Sequence, residues 1–570
     1  MYRIFLQTKE RTTMNHSKTP LWAGAVICYF FVTQLGLAVV PQPRSGEPLP
    51  SLTDEQLARF ESGKISFNED LTVEGGLGPI FNQTSCGSCH NNPVGGAGNQ
   101  TVTRFGYIGK KGGFDPLSEL GGSLLQAEAI SDECAEFVPQ EANVTSFRVT
   151  NSALAFGLVE AISDDDLLAN RDTQPENQRG DAHMVSNFED PTDELHVGRF
   201  GWKAQVASVL TFSSDASQNE MGLSNRFLPF DNAPNGNEEL LDECDTVADP
   251  EDAPDADGFE FIDRVTDFQR FLAPPPQTPQ SGMNGEIIFN NIGCNVCHTK
   301  TFTTGSDPET EEVLRNVTIK PYCDFLLHDM GLAGDGIVQG DANGQQLKTP
   351  PLWGVSYRDP LWHDGRFSAG TFDSRIRGAI EEHGVFGSQG VPSADGFAAL
   401  STEDQDALIR FLESLGRAEF DSDADNDVEL DDFHGYSDTV GFRGCYGTNT
   451  TPDAPCAIHD VDQDGDVDLD DFDIFLLAFD EETNDCNGNG IVDMLDILLG
   501  EPDTNNDGIL DECQTCMGDV NGDNSLGVND LLAIIDAWGT CSTCPADING
   551  DGVVDVIDLL YVVGNWGPCQ

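Results

Sequence analysis

The chain has 570 residues, with 98 Asp and Glu against 29 Lys and Arg and a formal net charge of −69. That length predicts several domains, and that charge excludes nucleic acid as a partner because both molecules would be polyanions. The charge is uneven: 36 of the acids and one basic residue, Arg443, lie between position 421 and the C-terminus. The tail is therefore a different kind of region from the first 420 residues, which hold the other 62 acids and 28 basic residues.

Residues 1–40 are predicted to be a signal peptide. Lys18 precedes an apolar run over residues 21–38 that ends in small residues, and Met14 would serve as the true start. An uncleaved anchor is the alternative, since the run is long enough to cross a bilayer. Pro41 directly after it favours cleavage. We therefore expect an exported protein, in the periplasm, at the cell surface or secreted, that is not an integral membrane protein once the signal is cleaved.

The sequence Cys-x-x-Cys-His occurs twice in the first 420 residues. Two thiols three positions apart can bond to the two vinyl groups of one haem, and the next His can ligate the iron. A redox or zinc Cys pair that happens to precede His is the alternative for either copy. Two copies in an exported chain favour two covalently bound haem c groups. The predicted attachment and ligand residues are Cys86, Cys89 and His90, and Cys294, Cys297 and His298.

The acidic tail contains repeated loops with the oxygen spacing of an EF-hand. One pair of loops is offset by 39 residues and a second pair by 28, and each loop has Asp or Asn at positions 1, 3, 5 and 12. An apolar stretch with helical spacing follows each loop, so each pair resembles the dockerin type of calcium repeat. The predicted calcium ligands are Asp421, Asp423, Asp425, Asp432, Asp460, Asp462, Asp464, Asp471, Asp519, Asn521, Asp523, Asp530, Asp547, Asn549, Asp551 and Asp558.

Two shorter loops lie between these pairs and resemble thrombospondin type 3-like calcium repeats. Their predicted ligands are Asp485, Asn487, Asn489, Asp503, Asn505 and Asp507. At this charge density the tail is expected to fold only when cations neutralise it, so calcium binding would supply folding free energy. A disordered, solvated tail is the alternative.

Cysteine usage also separates the tail from the rest. The tail has an even number of cysteines, which in an exported, loop-rich segment predicts disulfides of open connectivity. Zinc is the alternative for its two Cys-x-x-Cys pairs. Cys134, Cys244 and Cys323 leave an odd cysteine in the body.

From about residue 50 to 418 the chain resembles the dihaem oxidoreductases, which are related to bacterial dihaem cytochrome c peroxidases. Besides both haem motifs, the resembling segments are residues 198–205, 220–222, 326–331, 349–354, 363–366 and 379–384. The surroundings and separation of the two motifs predict a mainly α fold with two cytochrome c-like haem domains, and the tail repeats predict a calcium-dependent loop–helix region after them. The expected domains are 41–275, 276–418, 419–482, 483–516 and 517–570, in the order first haem domain, second haem domain, first dockerin-like pair, thrombospondin type 3-like repeats and second dockerin-like pair.

The resemblance also implies catalytic roles at the first haem. Glu220 matches the acid–base glutamate that handles peroxide protons in the peroxidase relatives, and Gln205 matches a distal glutamine. A surface glutamate at a helix end is the alternative for Glu220. The sixth position of the first haem is either open from the outset or approached by His183, His196 or Met221.

At the second haem the resemblance implies His383 as the sixth ligand, where the relatives have Met. A helix-terminal histidine satisfied by backbone is the alternative. His328 and His363 are expected to hold loops and haem propionates, and Arg199 and Arg366 are candidates for the same task. Trp202 is a candidate inter-haem aromatic residue or a core residue.

The leading hypothesis is an exported dihaem oxidoreductase that passes electrons from a small cytochrome, a cupredoxin or a quinol-linked protein to a small oxidant such as hydrogen peroxide. An electron carrier without catalysis is the first alternative. An enzyme acting on a protein or organic donor is the second. A surface-assembly protein attached through its calcium repeats to a cohesin-like or matrix partner is the third.

Overall fold

The computed structural model describes residues 40–435, 439–504, 506–513, 517–522, 525–541, 544–549 and 551–568. The predicted signal segment before residue 40, the predicted ligands Asn505 and Asp523, and the tail residues Cys516 and Cys569 lie outside these ranges. Within the described residues, none of the helices combines the length and the hydropathy needed to cross a bilayer.

Helix predominates over strand, as the predicted fold class requires. The helices are α1 Asp54–Asn68, α2 Cys86–Cys89, α3 Phe156–Glu160, α4 Asp164–Thr173, α5 Val209–Met221, α6 Glu238–Cys244, α7 Phe261–Phe271, α8 Asn284–Asn291, α9 Phe372–Glu382, α10 Val391–Ala398, α11 Thr402–Glu413, α12 Leu430–His434, α13 Phe442–Cys445, α14 Leu469–Ala478, α15 Asp493–Leu499, α16 Val528–Asp536 and α17 Val556–Gly564.

The strands are short and form small antiparallel sheets. They are β1 Ile80–Phe81, β2 Thr101–Ile108, β3 Phe114–Asp115, β4 Leu124–Leu125, β5 Glu128–Ala129, β6 Val144–Val149, β7 Met184–Ser186, β8 Leu195–Val197, β9 Phe302–Thr303, β10 Thr318–Ile319, β11 Leu327–Asp329, β12 Gln346–Lys348, β13 Ser525–Leu526, β14 Gly539–Thr540, β15 Val553–Val554 and β16 Gly567–Pro568. The largest sheet is built on β2, which pairs with β3, β4 and β6. Its pairing with β6 aligns Thr101 with Val149.

Side-chain caps set where the main helices begin. Ser208 and Thr371 precede α5 and α9, and the side-chain oxygen of each accepts a hydrogen bond from the backbone N–H three residues later. Such a cap satisfies one of the N–H groups that a first helical turn leaves without a partner. These caps therefore fix the two helices that carry Glu220 and end next to His383.

Each Cys-x-x-Cys-His motif has its own aromatic core. Helices α1 and α7 bury Phe60, Phe67 and Phe268 beside the first motif. Helices α8 and α11 bury Phe289 and Phe411 beside the second. A further core joins residues of both predicted haem domains, among them Phe156, Phe200, Phe302, Phe325 and Trp353. The two motifs therefore belong to one continuous body.

The tail has two separate cores. The first runs from Phe420 to Leu510 and includes Phe433, Phe472 and Phe475, so the first loop pair and the shorter loops share one core. The second is small and includes Leu526, Ile534 and Val562. The apolar stretches that follow the loops do form helices, namely α12, α14, α16 and α17.

A segment at residues 42–49 that turns at Ser45 and Gly46, here called the strap, ties the first tail core to the body. Leu49 N–H donates to the Phe271 carbonyl at 2.7 Å. Gln42 N–H donates to Glu419 at 3.2 Å, and the Ser45 hydroxyl contacts the Tyr357 hydroxyl. The strap thus touches the first haem domain, the second haem domain and the tail.

Disulfides resolve much of the cysteine pattern. Cys134 pairs with Cys244 in the body, which leaves Cys323 as the buried odd thiol. In the tail the pairs are Cys445–Cys456, Cys486–Cys513 and Cys541–Cys544. The last of these is one of the two Cys-x-x-Cys pairs for which zinc was the alternative.

Candidate functional site

The first motif forms a capped helical turn that ends at His90. The Ser85 hydroxyl caps α2, and His90 N–H donates to the Cys86 carbonyl at 3.0 Å. His90 Nδ1 lies 3.0 Å from the Gly96 carbonyl, which can only accept, so Nδ1 carries the proton and Nε2 keeps its lone pair. Burial lowers the pKa of His90, which favours the neutral, metal-ligating form.

Glu220 lies beside this motif, at the C-terminal end of α5. Asn82 Nδ2 donates to Glu220 Oε2 at 2.7 Å, and Asn82 N–H donates to the Glu220 carbonyl at 2.7 Å. Burial raises the pKa of Glu220, with nearby Arg104 and the Asn82 hydrogen bond acting against it. The charge of Glu220 in turn adds to burial in raising the pKa of Cys89 to about 11. A partly buried carboxyl of raised pKa therefore adjoins the first motif.

Gln205, which the resemblance placed with Glu220, lies at the other end of α5. Helix α5 has 13 residues, and at 1.5 Å per residue its ends are about 18 Å apart. Gln205 Oε1 instead accepts a hydrogen bond from Lys203 N–H at 3.2 Å, within the preceding turn. The structure does not bring Gln205 and Glu220 together, so a shared role at one ligand is not supported.

The second motif opens into a cavity that holds two opposed imidazoles. His298 Nδ1 lies 3.0 Å from the Tyr322 carbonyl, and His383 Nδ1 lies 2.7 Å from the Ala379 carbonyl. Both Nδ1 atoms are thus protonated donors, and both Nε2 atoms keep lone pairs. The two ring centroids are 6.5 Å apart. Burial, and then the neighbouring His383, lower the pKa of His298 to about 4, so it stays neutral at physiological pH.

The cavity between these imidazoles has a volume of about 200 Å³ and an apolar wall with few polar groups. Trp362 packs edge-on against His383 with ring centroids 5.1 Å apart. Cys294, Cys297, Trp202 and Lys348 also line it. An apolar cavity with a few placed polar groups is the usual form of a cofactor site.

One segment, residues 149–152, connects the two motifs. The Thr150 side chain hydrogen-bonds to Cys89, and Asn151 makes a backbone hydrogen bond to His90. The same four residues line the cavity of the second motif. The two sites are therefore neighbours across a single stretch of backbone.

Comparison with known proteins identifies the family. A family model described as "Di-haem oxidoreductase, putative peroxidase" matches residues 127–415, just over half of the chain. The chain belongs to the di-haem oxidoreductase family. The matched range contains Glu220, the second motif and His383, while the first motif precedes it. Membership implies a redox enzyme that uses two haems.

Two solved structures are weakly similar to the chain. No curated protein matches the chain. A MauG-like protein associated with microbial copper homeostasis has a TM-score of 0.32 and 15% identity, covering 66% of this chain and 92% of its own. The hydrazine synthase of Kuenenia stuttgartiensis has a TM-score of 0.27 and 13% identity, covering 70% of this chain and 100% of its own. Neither score is high enough to bear on the fold of this oxidoreductase.

The second site of the dihaem oxidoreductase fits a haem iron by its spacing. Two metal–imidazole bonds of about 2 Å would place the ring centres of opposed ligands about 6.4 Å apart. The observed 6.5 Å between His298 and His383 matches this. His383 was predicted as the partner of the second haem, and the structure brings it opposite the proximal His of that motif.

Two cations of the second cavity were not found by the sequence. Lys348 is buried and its Nζ donates to the Thr349 carbonyl at 3.1 Å, and Arg358 donates to the Trp353 carbonyl at 2.9 Å. Both line the cavity of the second motif. Burial lowers the pKa of each. Cationic groups that face a haem cavity and donate to carbonyls suit the carboxylates of haem propionates.

Arg199 and Arg366, the cations that the sequence favoured, are engaged elsewhere. Arg199 pairs with Asp164 and donates to the Ile162 carbonyl at 2.6 Å, where it ties the turn before α4 to the chain. Arg366 pairs with Asp364 at 2.7 Å and also with Glu382. Arg199 is therefore a structural residue, and Arg366 braces the end of α9 beside His383.

The other predicted histidines occupy different surroundings. His183 uses Nδ1 toward the Lys203 carbonyl and Nε2 toward Asp341 N–H, so neither nitrogen is left for the first haem. His196 sits between two aspartates near the surface. Met221 alone of the three candidates adjoins the first motif, with Sδ 3.8 Å from Cys86 Sγ.

His328 and His363 lie at the second cavity, as predicted, but in different states. His328 Nε2 lies 2.8 Å from Asp324, its Nδ1 lies 3.6 Å from Cys297 Sγ, and the charge of Asp324 outweighs burial and raises the pKa of His328. His363 Nδ1 is buried without a hydrogen-bond partner among the described residues, and burial lowers its pKa to about 4. Trp202 donates from Nε1 to the Val149 carbonyl at 2.9 Å, and its ring centroid is 6.2 Å from that of His363.

The four EF-hand-like loops of the tail are built alike. In each, the position-12 Asp is almost fully buried, accepts from the N–H of loop residue 2 on Oδ1 and accepts from the N–H of loop residue 9 on Oδ2. The Oδ1 distances are 2.6, 2.7, 2.9 and 2.8 Å for Asp432, Asp471, Asp530 and Asp558. The position-12 residue therefore closes its own loop and caps the helix that follows.

Carboxylate oxygens cluster in the first pair of loops. Oxygens of Asp421, Asp423 and Asp432 lie within 4.8 Å of one another, as do those of Asp460, Asp462 and Asp464. Asp425 clusters instead with Asp427 and Glu429. The first loop thus divides its acids between two groups, where the EF-hand spacing predicted one set containing Asp425.

Two further properties of the tail carboxylates suit them to bind a cation. Asp460 Oδ1 is buried and, among the described residues, has no hydrogen-bond partner, and the same holds for Oδ2 of Asp493. Burial and the neighbouring Asp432 raise the pKa of Asp421 to about 7. Residues 421–570 contain 36 acids and Arg443 as their one Lys or Arg, so these oxygens suit a hard cation such as calcium.

Proposed function

We propose that this dihaem oxidoreductase is an exported c-type cytochrome enzyme that reduces a small oxidant such as hydrogen peroxide with electrons from an external donor. The observation that carries the proposal is the difference between the two sites. The second site presents two opposed histidines, His298 and His383, which suits electron transfer. The first presents one histidine, His90, with the carboxyl of Glu220 alongside, which suits chemistry on a bound ligand.

In this proposal the chain's own residues manage protons at the first site. A haem bound through Cys86, Cys89 and His90 would supply an iron that binds and reduces peroxide. Glu220 takes a proton from the peroxide and returns it to the leaving oxygen, and burial, which raises the pKa of this carboxyl, suits it to both steps. Asn82 holds Glu220 in place through its hydrogen bond to Oε2.

Haem content and spin state test the proposal. Protein matured in a c-type system should carry two covalent haems, and a Cys86→Ala/Cys89→Ala variant should carry one. The ferric protein should give one low-spin signal and one high-spin signal in electron paramagnetic resonance, and peroxide should change the high-spin signal. Zinc or absent haem in the matured wild type would overturn the proposal.

An electron carrier without catalysis is the second candidate, and Met221 is the observation that favours it. The Met221 sulfur is 3.8 Å from Cys86 Sγ. The Met221 thioether could therefore serve as the sixth ligand of the first haem. Two low-spin signals, with no turnover of peroxide, would identify the carrier. Loss of one low-spin signal in Met221→Ala would identify the ligand.

We also propose that the chain works outside the cytoplasm, in the periplasm, at the cell surface or after secretion. The disulfides Cys134–Cys244, Cys445–Cys456 and Cys486–Cys513 support this, because disulfides persist in oxidising compartments. Cell fractionation of the native host, with haem staining of each fraction, tests it. Recovery in the cytoplasm would contradict it.

Calcium is the proposed second cofactor, held by the tail loops. The Asp421–Asp432 and Asp460–Asp464 clusters support it. The full-length haem protein should bind calcium by titration calorimetry, and chelator should make the tail protease-sensitive while the haem spectrum persists. Asp460→Asn should reduce the number of ions bound, whereas exposed Asp245→Asn, outside the tail, should not. Equal protease resistance with and without calcium would show that disulfides hold the tail.

The partner proposed for the tail is a cohesin-like or matrix protein. The second loop pair exposes matching apolar residues 28 positions apart, with Leu532 and Leu560 each 58% exposed and Trp538 and Trp566 each 52% exposed. A duplicated apolar face of this kind supports attachment to another protein. Calcium-dependent retention of the enzyme on cell walls, lost in Leu532→Ser/Leu560→Ser, tests it.

A further inference from the structure

Tyr322, whose carbonyl accepts from the proximal His298, is itself held through its side chain. Its phenol donates to Glu286 Oε1 at 3.1 Å. Tyr322 is 1% exposed and Glu286 is 8% exposed. Burial, and then the charge of Glu286, raise the pKa of Tyr322, so the phenol keeps its proton and stays a donor. A carboxylate acceptor shielded from water makes this one of the stronger kinds of hydrogen bond.

A lysine next to the second motif closes the network. Lys300 forms an ion pair with the same Oε1 atom of Glu286. Lys300 is two residues after His298, and Cys323 N–H donates to the Thr299 carbonyl at 2.9 Å. The segment after the motif is therefore bonded to the segment that carries the phenol, through backbone on one side and through Glu286 on the other.

Aromatic side chains enclose the phenol ring of Tyr322. Its centroid is 5.9 Å from that of Phe289 and 5.5 Å from that of Phe411, and both contacts are edge-on. Phe289 also packs against His298, with ring centroids 6.2 Å apart. The tyrosine and the proximal imidazole thus share one aromatic neighbour, and neither ring can move without affecting it.

The backbone of Tyr322 has an uncommon conformation. Its φ is +49°, in the left-handed region that favours glycine. Another residue stays in that region only where its surroundings hold it there, and such positions cluster at functional sites. Here the bond to Glu286 and the ring contacts hold the residue. The carbonyl is thereby aimed at His298 Nδ1, 3.0 Å away.

The proximal histidine of the first site is held differently. His90 Nδ1 donates to the carbonyl of Gly96, a residue without a side chain. Gly96 is tied by its backbone, since its N–H donates to the Pro93 carbonyl at 2.6 Å. Of the two carbonyls, the one at the second site is therefore the one that a side chain can brace. A fixed ligand suits a haem that passes electrons, because little has to move when the charge of the iron changes.

We propose that Tyr322 is a positioning residue of the second haem, and that its anchored phenol fixes the bond from His298 to the Tyr322 carbonyl and so lowers the reduction potential of that haem. This inference rests on the proposed function, in which His298 and His383 ligate the iron. A histidine that donates firmly from Nδ1 is a more basic ligand, which favours ferric iron. On reduction the iron gains one electron from the donor, and the Nδ1 proton stays on His298. A lower potential favours passage of that electron onward to the first site.

Tyr322→Phe in the haem-loaded full chain tests the inference. The variant loses the hydroxyl and keeps the ring, so both haems should be retained. In a spectroelectrochemical titration its low-spin haem should have a higher midpoint potential than in wild type. Tyr357→Phe is the matched control, because it removes the hydroxyl of a tyrosine that contacts Ser45 in the strap, and it should leave the potential unchanged. An unchanged potential in Tyr322→Phe, or an equal rise in the control, would overturn the inference.

Two Glu286 variants give an independent measurement, which also serves if Tyr322→Phe does not mature. Glu286→Gln removes the charge and keeps an oxygen that can accept from the phenol, whereas Glu286→Ala removes both. Glu286→Ala should therefore raise the potential further than Glu286→Gln does. Equal potentials in these two variants would show that the phenol does not act through Glu286, and would likewise overturn the inference.

These measurements separate the inference from the proposed function. The potential is measured without peroxide, so two low-spin haems without peroxide turnover would overturn the proposed enzyme and leave the expected rise in Tyr322→Phe intact. A high-spin second haem in wild type would overturn the proposed ligands and this inference with them. A lower melting temperature in Tyr322→Phe with an unchanged potential would assign the tyrosine a structural role alone, against the inference.

Discussion

Arg44 and Asp480 form an ion pair across 436 residues of sequence, and Arg44 also donates to the Ala478 carbonyl at the end of α14. Asp480 Oδ2 in turn accepts from Val428 N–H at 3.0 Å, within the loop of residues 421–432. The strap is thereby bonded to the same carboxylate that accepts a backbone hydrogen bond from this loop. These bonds consequently hold the first tail core against the first 420 residues. The core is therefore not an independent domain joined by a flexible linker.

Arg44→Ala should loosen this junction. The pair is partly exposed, so its loss should cost about 1 kcal/mol and not unfold the protein. We expect faster proteolysis within residues 419–482 while both haem spectra stay unchanged. Arg171→Ala is the matched control, because Arg171 pairs on the surface with its neighbour Asp172, far from the strap in sequence. Equal proteolysis of the two variants would show that the strap does not restrain the tail.

His383→Gly should open the second site. The imidazole opposite His298 would be gone, so the low-spin signal should become high-spin, and added imidazole should restore it by filling the space. His196→Gly removes a histidine held between Asp164 and Asp190 and should leave both haem signals intact. A low-spin signal that survives in His383→Gly would mean that another residue ligates the second haem.

Glu220 should set the acid limit of peroxide turnover. As a base it must be ionised, and burial raises its pKa above the ordinary value of 4.5. Turnover should therefore fall as pH decreases through a value above 4.5, and stay high above it. Glu220→Gln should lower turnover about a hundredfold. It should also remove the acid limb of the pH profile, which is the fall in turnover at low pH.

The exposed Glu69→Gln serves as control and should keep both the rate and the pH profile. Haem content and the ferric spectrum should be unchanged in both variants, which separates a catalytic loss from misfolding. An acid limb that persists in Glu220→Gln would assign it to another group.

The Cys134–Cys244 disulfide should stabilise the predicted first haem domain. It closes a separation of 110 residues, and removing a bond of that span costs about 2–5 kcal/mol. Cys134→Ser/Cys244→Ser should lower the melting temperature of the haem body by several degrees in calorimetry. Cys541→Ser/Cys544→Ser breaks a bond between residues only 3 apart, in the tail, and should leave that transition in place.

The predictable parts of the fold are those fixed by local spacing. A Cys-x-x-Cys-His turn is complete within five residues, so both motifs could be read directly, and so could the loops that end in Asp432 and Asp471. The grouping of Asp425 oxygens with those of Asp427 and Glu429 depends on how the loop closes in three dimensions, which a spacing pattern does not describe.

Contacts between distant segments were not predictable. Lys348 and Arg358 carry no local pattern, and they become cavity cations only because β12 and the following loop fold against the second motif. From the sequence Arg199 was a candidate to bind a haem propionate. In the structure it donates to backbone carbonyls of the turn before α4, which the sequence pattern does not indicate. The separation of Gln205 from Glu220 could have been found, because Ser208 is a readable cap that starts a helix between them.

The segment at residues 149–152 bonds to Cys89 and His90 at one site and lines the cavity of the other. A ligand that shifts this backbone on one side must also change the free energy of the other side. Such coupling is reciprocal: whatever factor the first site imposes on affinity at the second, the second imposes on the first. The chain would then respond to oxidant and donor as one cooperative unit and not as two independent cytochromes.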